Sequence, residues 1–450
     1  MNKEGVRMKR VVWAVVLLAA VIASLALVGS AAGKIAVVLD VGGRGDLSFN
    51  DMGFKGTDQA AVDFGLEMVE VQSASAADYV PNLRNLARTG EYDLIIGVGF
   101  LFTDAMAAVA AEFPDQKFAI IDSVVAADNV MSIVFRENEM SALIGALGAM
   151  AAAYHGYEYF GVVLGIEIPV LYHFEAGFRF GMSWGLATYV AQTGDDADVG
   201  LLYTYTGTFS DIALGKAASE AMLEQGAVGI YNVAGPLGLG DLEAVTEFHD
   251  NAGTIYGPPY YFGVDANQDY LGNGLHGVAS GMKRVDQATY FAVESVVNGT
   301  FEGGVTSLGL AEGGVGISGW RELVDFIDFG VAGGAISGDD FYTIVGNWGL
   351  NRATVPAWIW DEIEILGEAI IGGSVVVPSA DTLEEMEAIR ALHPVPVGAK
   401  NKACVSECKT ERDSCYDDCS SHSTWYKRRL CYIACGVDYA ACIAACLIPD

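Results

Sequence analysis

The chain has 450 residues, with 57 acidic and 25 basic side chains and a formal net charge of −32 at pH 7. A charge of this size repels nucleic-acid phosphates and anionic membrane surfaces, so we expect no nucleic-acid partner. The hydrophobic content of 52% and the 55 glycines favour a large packed core divided among two or three domains, and they exclude disorder as the default.

The N-terminal segment has the three-part pattern of an export signal. Four basic residues precede an unbroken apolar run, and the small residues SAAG follow it. We predict that residues 1–32 are a signal peptide and that the mature chain begins near Gly33. A retained N-terminal anchor is the alternative, because the run has about the minimum length of a membrane span. No cysteine lies near residue 33, which excludes a bacterial lipoprotein anchor. Either way we expect an exported body, extracellular or associated with the cell surface.

From residue 34 onward, short apolar runs alternate with loops and longer helix-period stretches. The runs are KIAVVLD, DLIIGVGF, KFAIIDS, YFGVVLG, VGLLYTYTG, AVGIYNVAG and YYFGVD. Apolar runs without alternation indicate strands covered on both faces, as in parallel sheets flanked by helices. We therefore predict an α/β fold with two parallel sheets. A first lobe would cover 33–155 and a second 156–275, and residues 276–395 would return through the first lobe and complete the second.

Five loops directly follow predicted strands, at the edge where open parallel sheets bind ligands. They cover residues 40–50, 122–123, 207–211, 235–241 and 263–268. Two of the five contain an aromatic residue, Phe49 or Phe209, and all five contain a carboxylate. Aromatic faces stack on rings, and carboxylates accept hydrogen bonds from sugar hydroxyls and ring N–H groups. The loops therefore predict a flat, neutral, hydroxyl-bearing ligand and argue against a phosphate.

Seven motifs occur in the order and approximate spacing of the basic membrane protein (BMP) family. They are DVGGRGDLSFND, FAIIDS, IPVLYHFEAGFRFG, YTGTFSDIALGKAAS, FGVDANQDY, VASGMKRVDQA and GLAEGGVGIS. The chain resembles this family over about residues 34–320, whereas residues 321–355 fit its pattern poorly. The resemblance implies a two-lobed type I periplasmic-binding fold. It also implies a receptor that captures purine nucleosides for ABC permease subunits, without cofactor, metal or catalytic residues.

The resemblance also implies eight ligand-binding residues from both lobes: Asp40, Phe49, Asn50, Asp122, Phe209, Gly235, Asp265 and Lys283. Phe49 and Phe209 would approach the base from opposite lobes, while the first two aspartates would lie at the base or on the floor of the first-lobe pocket. Asp265 and Lys283 would bind ribose hydroxyls. Gly235 would let the backbone come close to the ligand.

An enzyme is the alternative from another functional class. The six histidines include no pair at helical ligand spacing, so neither a zinc hydrolase nor a Ser-His-Asp arrangement is visible. A lone histidine such as His173 is more often a packed or surface residue than a ligand. Asp40 and Asp122 could form the carboxylate pair of a nucleoside hydrolase, but DVGGRGD lacks the spacing of a metal-binding aspartate cluster. We therefore expect no enzymatic activity.

All eight cysteines lie in the tail, residues 404–450, in the pattern C-x3-C-x6-C-x3-C repeated twice. At about 100° per residue, each set of four falls within about 60° of arc on one helical face. Eight cysteines allow 105 pairings. Two antiparallel helices would select Cys404–Cys446, Cys408–Cys442, Cys415–Cys435 and Cys419–Cys431. We predict a disulfide-linked helical hairpin after a linker at 396–403, with two four-cysteine metal sites as the alternative.

The second tail helix has apolar residues around the rest of its circumference, over 431–448. Its hairpin partner can cover only the cysteine face, so the remaining apolar surface needs another cover. We expect this helix to pack on a neighbouring subunit, on a cell-surface partner or on the protein's own second lobe. This tail suggests an alternative function: a cell-surface or filament-forming structural protein that keeps the receptor fold and self-associates through the hairpin.

Overall fold

The computed structural model describes residues 33–394, 397–398, 402–422 and 424–447. The first lobe contains six parallel strands in the order β11-β5-β4-β3-β1-β2. These are β1 Lys34–Leu39, β2 Glu67–Gln72, β3 Leu94–Val98, β4 Phe118–Ile121, β5 Val130–Phe135 and β11 Gly304–Leu308. The flanking helices are α1 Phe49–Phe64, α2 Tyr79–Thr89, α3 Thr103–Glu112 and α8 Val285–Val297. The apolar runs of β1, β3 and β4 are buried on both faces, as their composition predicts.

The second lobe contains seven strands in the order β12-β10-β9-β8-β6-β7-β13, and both edge strands are antiparallel to their neighbours. These are β6 Tyr159–Leu164, β7 Asp198–Tyr205, β8 Ala227–Val233, β9 Tyr260–Asp265, β10 Gly277–Lys283, β12 Val315–Ile317 and β13 Val397–Gly398. Its helices are α4 Glu137–His155, α5 Pro169–Thr193, α6 Ile212–Glu224, α7 Gly238–Ala252, α9 Trp320–Ala332, α10 Phe341–Arg352, α11 Ala357–Ile371 and α12 Leu383–Leu392. The predicted two-lobed α/β fold is confirmed.

Helices α4 and α5 form the centre of the second lobe, and both are buried along most of their length. They pack closely because glycines recur every fourth residue on one face of α5. A Cβ atom at Gly177, Gly181 or Gly185 would collide with the backbone of α4. The two helices therefore behave as one rigid layer beneath the second sheet.

The chain crosses between the lobes three times, at Arg136, at Arg284 and in the segment 309–314. The segments are hydrogen-bonded to one another, from Arg136 N to Leu308 O at 2.9 Å and from Arg284 N to Gly314 O at 2.8 Å. Two predicted boundaries differ from these positions. The boundary predicted at 155/156 assigns helix α4 to the first lobe, but α4 packs on the second sheet. The return to the first lobe predicted at residue 276 comes before β10, but β10 belongs to the second sheet.

The region that fits the family pattern poorly forms α9 and α10, which extend the second lobe. Trp348 Nε1 of α10 donates to Asp269 Oδ2 at 3.0 Å, and Gly257 N donates to Asn351 Oδ1 at 3.0 Å. The buried Asp269 also accepts hydrogen bonds from the hydroxyls of Ser280 and Ser318. This polar network fixes α10 on the sheet, because its buried groups have partners only in this position.

The tail is a hairpin of α13 Lys402–Ser420 and α14 Trp425–Cys446. Four disulfides join the helices in the predicted pairing, with Cα–Cα distances between 5.6 and 5.9 Å. Every cysteine sulfur is used in these bonds, so the alternative of two metal sites does not match the structure. Two residues of the predicted linker, 397–398, form β13 and pair with β7, so this part of the linker belongs to the second sheet.

The apolar side of α14 packs on α11 and α5 of the protein's own second lobe. Tyr439 and Ile443 are buried there, and Trp184 Nε1 of α5 donates to Ala440 O at 3.2 Å. Of the three partners predicted for residues 431–448, the structure therefore shows the protein's own second lobe. The prediction of a neighbouring subunit or a cell-surface partner is corrected accordingly. Ile448 lies outside the described residues.

A buried ion pair lies in the same interface. Arg412 Nη1 of α13 lies 2.7 Å from Glu362 Oε1 of α11, and both side chains are almost fully enclosed. The guanidinium also lies 4.1 Å from the centre of the Tyr439 ring. A charged pair of this kind fixes the register of the hairpin on the lobe, since sliding it would leave a buried charge unpaired.

Within the described ranges, one helical segment, Lys427–Cys446, is long and apolar enough to cross a membrane by length and composition alone. This segment is most of α14, whose cysteines are bonded to α13 and whose apolar side packs on the second lobe. Those contacts account for its composition. The predicted signal peptide, residues 1–32, lies outside the described residues.

Candidate binding cavity between the lobes

A cavity lies between the two lobes, at the carboxyl ends of strands from both sheets. All eight residues predicted to bind ligand line it: Asp40, Phe49, Asn50, Asp122, Phe209, Gly235, Asp265 and Lys283. The structure thus brings together residues that follow or end six different strands. Their individual roles in binding stay predictions.

The loop between β1 and α1 is held in shape by two carboxylates. Asp46 accepts hydrogen bonds from the backbone N–H groups of Ser48, Asn50 and Asp51 at 2.7 to 3.1 Å. The Asp51 carboxylate accepts from the backbone N–H groups of Gly45 and Leu47. These bonds fix the start of α1, so its first residue, Phe49, is held at the cavity wall.

Asp40 and Asn50 form a pair at the first-lobe end of the cavity. Asn50 Nδ2 donates to Asp40 Oδ1 at 2.8 Å, and Asp40 N donates to Asn50 Oδ1 at 3.2 Å. Burial raises the pKa of the Asp40 carboxyl. The facing residue, Gly99, has a φ of +124°, and a Cβ there would lie 2.8 Å from Asp40 Oδ2. Only glycine meets both conditions without strain.

Lys283 occupies the centre of a buried carboxylate cluster. Its Nζ lies 2.6 Å from Asp122 Oδ2, 3.3 Å from Glu137 Oε1 and 4.0 Å from Asp265 Oδ1. Asp122 and Asp265 follow or end their strands with φ values of +66° and +60°. Such left-handed backbone is uncommon for residues other than glycine and concentrates at functional sites, where the surrounding structure holds it in place.

The pKa values in this cluster reflect burial opposed by charge pairing. Burial raises the pKa of Asp122 to about 7, although Lys283 acts in the opposite direction. Burial lowers the pKa of Lys283, but the three carboxylates outweigh it and the net direction is upward. Asp122 Oδ1 is buried and has no hydrogen-bond partner among the described residues. A ligand hydroxyl or N–H would satisfy this acceptor, whose unmet hydrogen bond costs about 1–3 kcal/mol.

The second lobe supplies an apolar wall and a close-approach backbone segment. The Phe209 ring lies against Gly165, where any Cβ would collide with it. Gly235 has a φ of +57°, and its carbonyl accepts a hydrogen bond from Asn232 Nδ2 at 3.1 Å. The start of α5 adds Phe174 to the lining. Aromatic rings from both lobes therefore face one cavity.

The arrangement can be compared with known proteins. The model of the Bmp family, described as ABC transporter substrate-binding protein PnrA-like, matches residues 34–329. The chain belongs to this family. The family description is that of a substrate-binding protein of an ABC transporter. The tail hairpin lies beyond the matched residues.

Relatives and a solved structure agree with membership of the Bmp family. An uncharacterized lipoprotein of Pyrococcus abyssi is 37% identical over 361 residues, which are 79% of this chain and 86% of the relative. The ABC transporter nucleoside-binding protein BmpA of Lactococcus lactis is 29% identical over 299 residues, 63% of this chain and 80% of the relative. A crystal structure of an ABC transporter solute-binding protein from Aeropyrum pernix K1 is 35% identical with a TM-score of 0.70, covering 81% of this chain and 100% of that chain.

The two lobes of this Bmp-family protein touch each other beside the cavity. The Ser48 hydroxyl of the first lobe can donate to two acceptors of the second lobe: its Oγ lies 3.0 Å from Asp265 Oδ2 and 3.1 Å from Val264 O. Gln268 Nε2 of the second lobe donates to Leu47 O at 3.1 Å. The loop that places Phe49 in the cavity therefore also contacts the opposite lobe.

Sequence reasoning missed Glu137 and Phe174. Glu137 follows β5 directly, so the rule that ligand sites lie after parallel strands could have identified it. Phe174 lies inside a long apolar helix, where the sequence pattern gives no sign that one ring faces a cavity. His173, interpreted as a packed or surface residue, contacts Glu137 and is partly enclosed.

Proposed function

We propose that this protein captures purine nucleosides outside the cytoplasm and delivers them to an ABC permease. One observation carries the proposal: a single cavity combines Phe49 and Phe209, from opposite lobes, with the buried cluster of Asp122, Asp265 and Lys283. Opposed aromatic rings suit a flat heterocycle. Buried carboxylates beside an ammonium suit the vicinal hydroxyls of ribose.

The charge of the cavity favours a nucleoside over a nucleotide. Four carboxylates line it, those of Asp40, Asp46, Asp122 and Asp265, against one ammonium, that of Lys283. That ammonium already lies within 4.0 Å of three carboxylates, so it is not free to neutralise an incoming phosphate. A phosphate would therefore enter a negative field at low dielectric.

The names of relatives support the ligand class and the location. The Lactococcus lactis relative is named a nucleoside-binding protein, and the Pyrococcus abyssi relative is named a lipoprotein. This chain has no cysteine before residue 404. We therefore propose export through its N-terminal apolar segment and no lipid attachment to an N-terminal cysteine.

Isothermal calorimetry on protein stripped of co-purified ligand tests the proposal. Guanosine, inosine and adenosine should bind, and GMP and free ribose should bind far more weakly. Asp265→Asn should weaken binding by about 10- to 100-fold, as expected when a charge-assisted hydrogen bond worth about 1.5–3 kcal/mol is lost.

Asp250→Asn is the matched control, because this aspartate lies exposed on α7 of the same lobe. It should leave the affinity unchanged. The proposal fails if stripped, folded protein gives no heat with any of the three nucleosides. It also fails if GMP binds as tightly as guanosine.

A further inference from the structure

A segment beyond the family match crosses the back of the binding site. We call residues 374–392, which follow α11 and include α12, the strap. It packs on α5 through a small apolar cluster made of Tyr172, Ala176, Ala380, Met386 and Ile389. Asn138 Nδ2, at the start of α4, donates to Val377 O at 2.9 Å. The strap therefore covers the ends of α4 and α5 that point toward the cavity.

An unbroken series of polar contacts leads from the strap to Lys283. Asp381 Oδ1 lies 2.9 Å from His173 Nε2. His173 Nδ1 lies 2.9 Å from Glu137 Oε2, and Glu137 Oε1 lies 3.3 Å from Lys283 Nζ. Lys283 in turn contacts Asp122. The series begins at a carboxylate whose side chain is 82% exposed and ends inside the buried cluster.

The geometry determines the protonation of His173. Both ring nitrogens face carboxylate oxygens, which only accept hydrogen bonds, so both nitrogens must carry a proton. The ring is therefore an imidazolium. Burial lowers the pKa of His173, but Glu137 and Asp381 together raise it to about 9. Charged groups facing the ring are Glu137 from α4 and Asp381 from the strap; Lys283 follows on the far side of Glu137.

The charge on His173 determines how strongly Glu137 attracts the Lys283 ammonium. With His173 charged, Glu137 has a cation on each side and Lys283 can stay close to Asp122, at 2.6 Å. With His173 neutral, Lys283 would be the sole cation among Asp122, Glu137 and Asp265. Its ammonium would then be drawn toward Glu137 and away from the ligand cavity.

A second contact shows that the strap is firmly attached at this point. Arg390 binds Glu175 in a bidentate pair, with both N···O distances at 2.7 Å. Glu175 is fully buried and directly follows Phe174 of the cavity wall. Tyr205 also donates to Glu175, at 2.7 Å. This pair places Asp381 relative to His173, because α12 cannot shift without breaking it.

We propose that Asp381 is a positioning residue for the nucleoside site, acting through His173 and Glu137 on the placement of Lys283. The proposal rests on the proposed function for its ligand. It assigns the strap, which lies outside residues 34–329, a part in binding.

The test compares Asp381→Asn with Glu387→Gln, which removes an exposed carboxylate of α12 that forms no ion pair with any described residue. NMR titration of ligand-free protein should show the His173 midpoint falling by about one to two pH units in Asp381→Asn, as expected when one adjacent carboxylate is removed. The Lys283 ammonium resonance should move over the same pH range. Glu387→Gln should change neither signal.

Nucleoside affinity supplies the second readout. Each variant is compared with wild type at the same pH, because Asp122, whose pKa burial raises to about 7, titrates over this range in both proteins, whereas His173 stays charged in wild type. Asp381→Asn should match wild type at pH 6 and bind about five- to tenfold more weakly at pH 8, where His173 loses its proton. Asp381→Glu should restore the wild-type profile.

The outcomes separate the two proposals. If wild type binds no nucleoside, the proposed function fails, and the ligand-free Lys283 resonance alone decides whether Asp381 acts on Lys283. An unchanged Lys283 resonance in Asp381→Asn overturns the positioning role. The positioning role is also overturned if the nucleoside affinity of Asp381→Asn has the same pH profile as that of wild type.

Discussion

Replacing Lys283 by methionine keeps the apolar stem of the side chain and removes its charge. The ammonium lies within 4.0 Å of Asp122, Glu137 and Asp265, and the side chain is only 3% exposed. Removing one partner of a buried ion pair typically costs about 3–5 kcal/mol, because the remaining charge has no compensation. We expect a loss of this size in the free energy of unfolding at pH 8.

The loss should depend on pH in a defined direction. Burial raises the pKa of Asp122, and loss of the ammonium raises it further above its unfolded value near 4. Against the effect of burial, Lys283 and His173 hold the pKa of Glu137 below its ordinary value, so this pKa also rises when Lys283 is lost. A group whose folded pKa is raised contributes stability below its unfolded pKa and loses it as pH rises through the folded pKa. The deficit of Lys283→Met relative to wild type should therefore be largest at pH 8 and shrink toward pH 5.

Urea titrations of ligand-free protein at pH 5 and pH 8, followed by tryptophan fluorescence, measure both effects. Lys216→Met is the control, since Lys216 contacts Glu243 and Glu247 at the exposed surface of α6 and α7, at 2.7 Å each. It should have little effect at either pH. A loss for Lys283→Met below about 1 kcal/mol, or one that is equal at both pH values, would refute the reasoning.

Two further predictions concern the tail. Arg412→Met should destabilise the protein by about 3–5 kcal/mol in urea titrations, because Glu362 is left charged and buried. The double variant with Glu362→Met should recover most of that loss. A double variant less stable than Arg412→Met would contradict this prediction. Reducing the four disulfides should lower the melting temperature of the tail, measured by calorimetry, and leave nucleoside affinity unchanged, because none lies in the body; a fall in affinity on reduction would show that the tail supports the site.

The features that the sequence predicted correctly are those with a regular pattern along the chain. The uninterrupted apolar runs predicted buried parallel strands, and the cysteine spacing predicted all four disulfides because helical periodicity places each set on one face. The partner of the hairpin was not predictable in the same way. An apolar face shows that α14 is covered, but not by what. The answer depends on single contacts such as Arg412 with Glu362, which have no periodic pattern.

The binding cavity likewise contains some residues that the sequence pattern predicts and others that it does not. Its eight predicted residues lie in loops that follow strands, at strand ends or in the first turn of the helix after β1, where topology alone brings them together. Glu137 and His173 instead contact residues distant in sequence, Lys283 and Asp381. The two lobe boundaries were misplaced because α4 and β10 look like ordinary elements of either lobe. Only packing decides which sheet they join.

The absence of cysteine before residue 404 has a consequence for how the exported chain matures. No thiol in the body can capture a tail cysteine, so within one chain the eight thiols can pair only with one another. The pairs are nested, with separations of 12, 20, 34 and 42 residues. Closing the shortest loop, Cys419–Cys431, costs the least entropy, and each bond brings the next pair into register. The oxidation of the tail can thus proceed from the turn outward, independently of when the lobes fold.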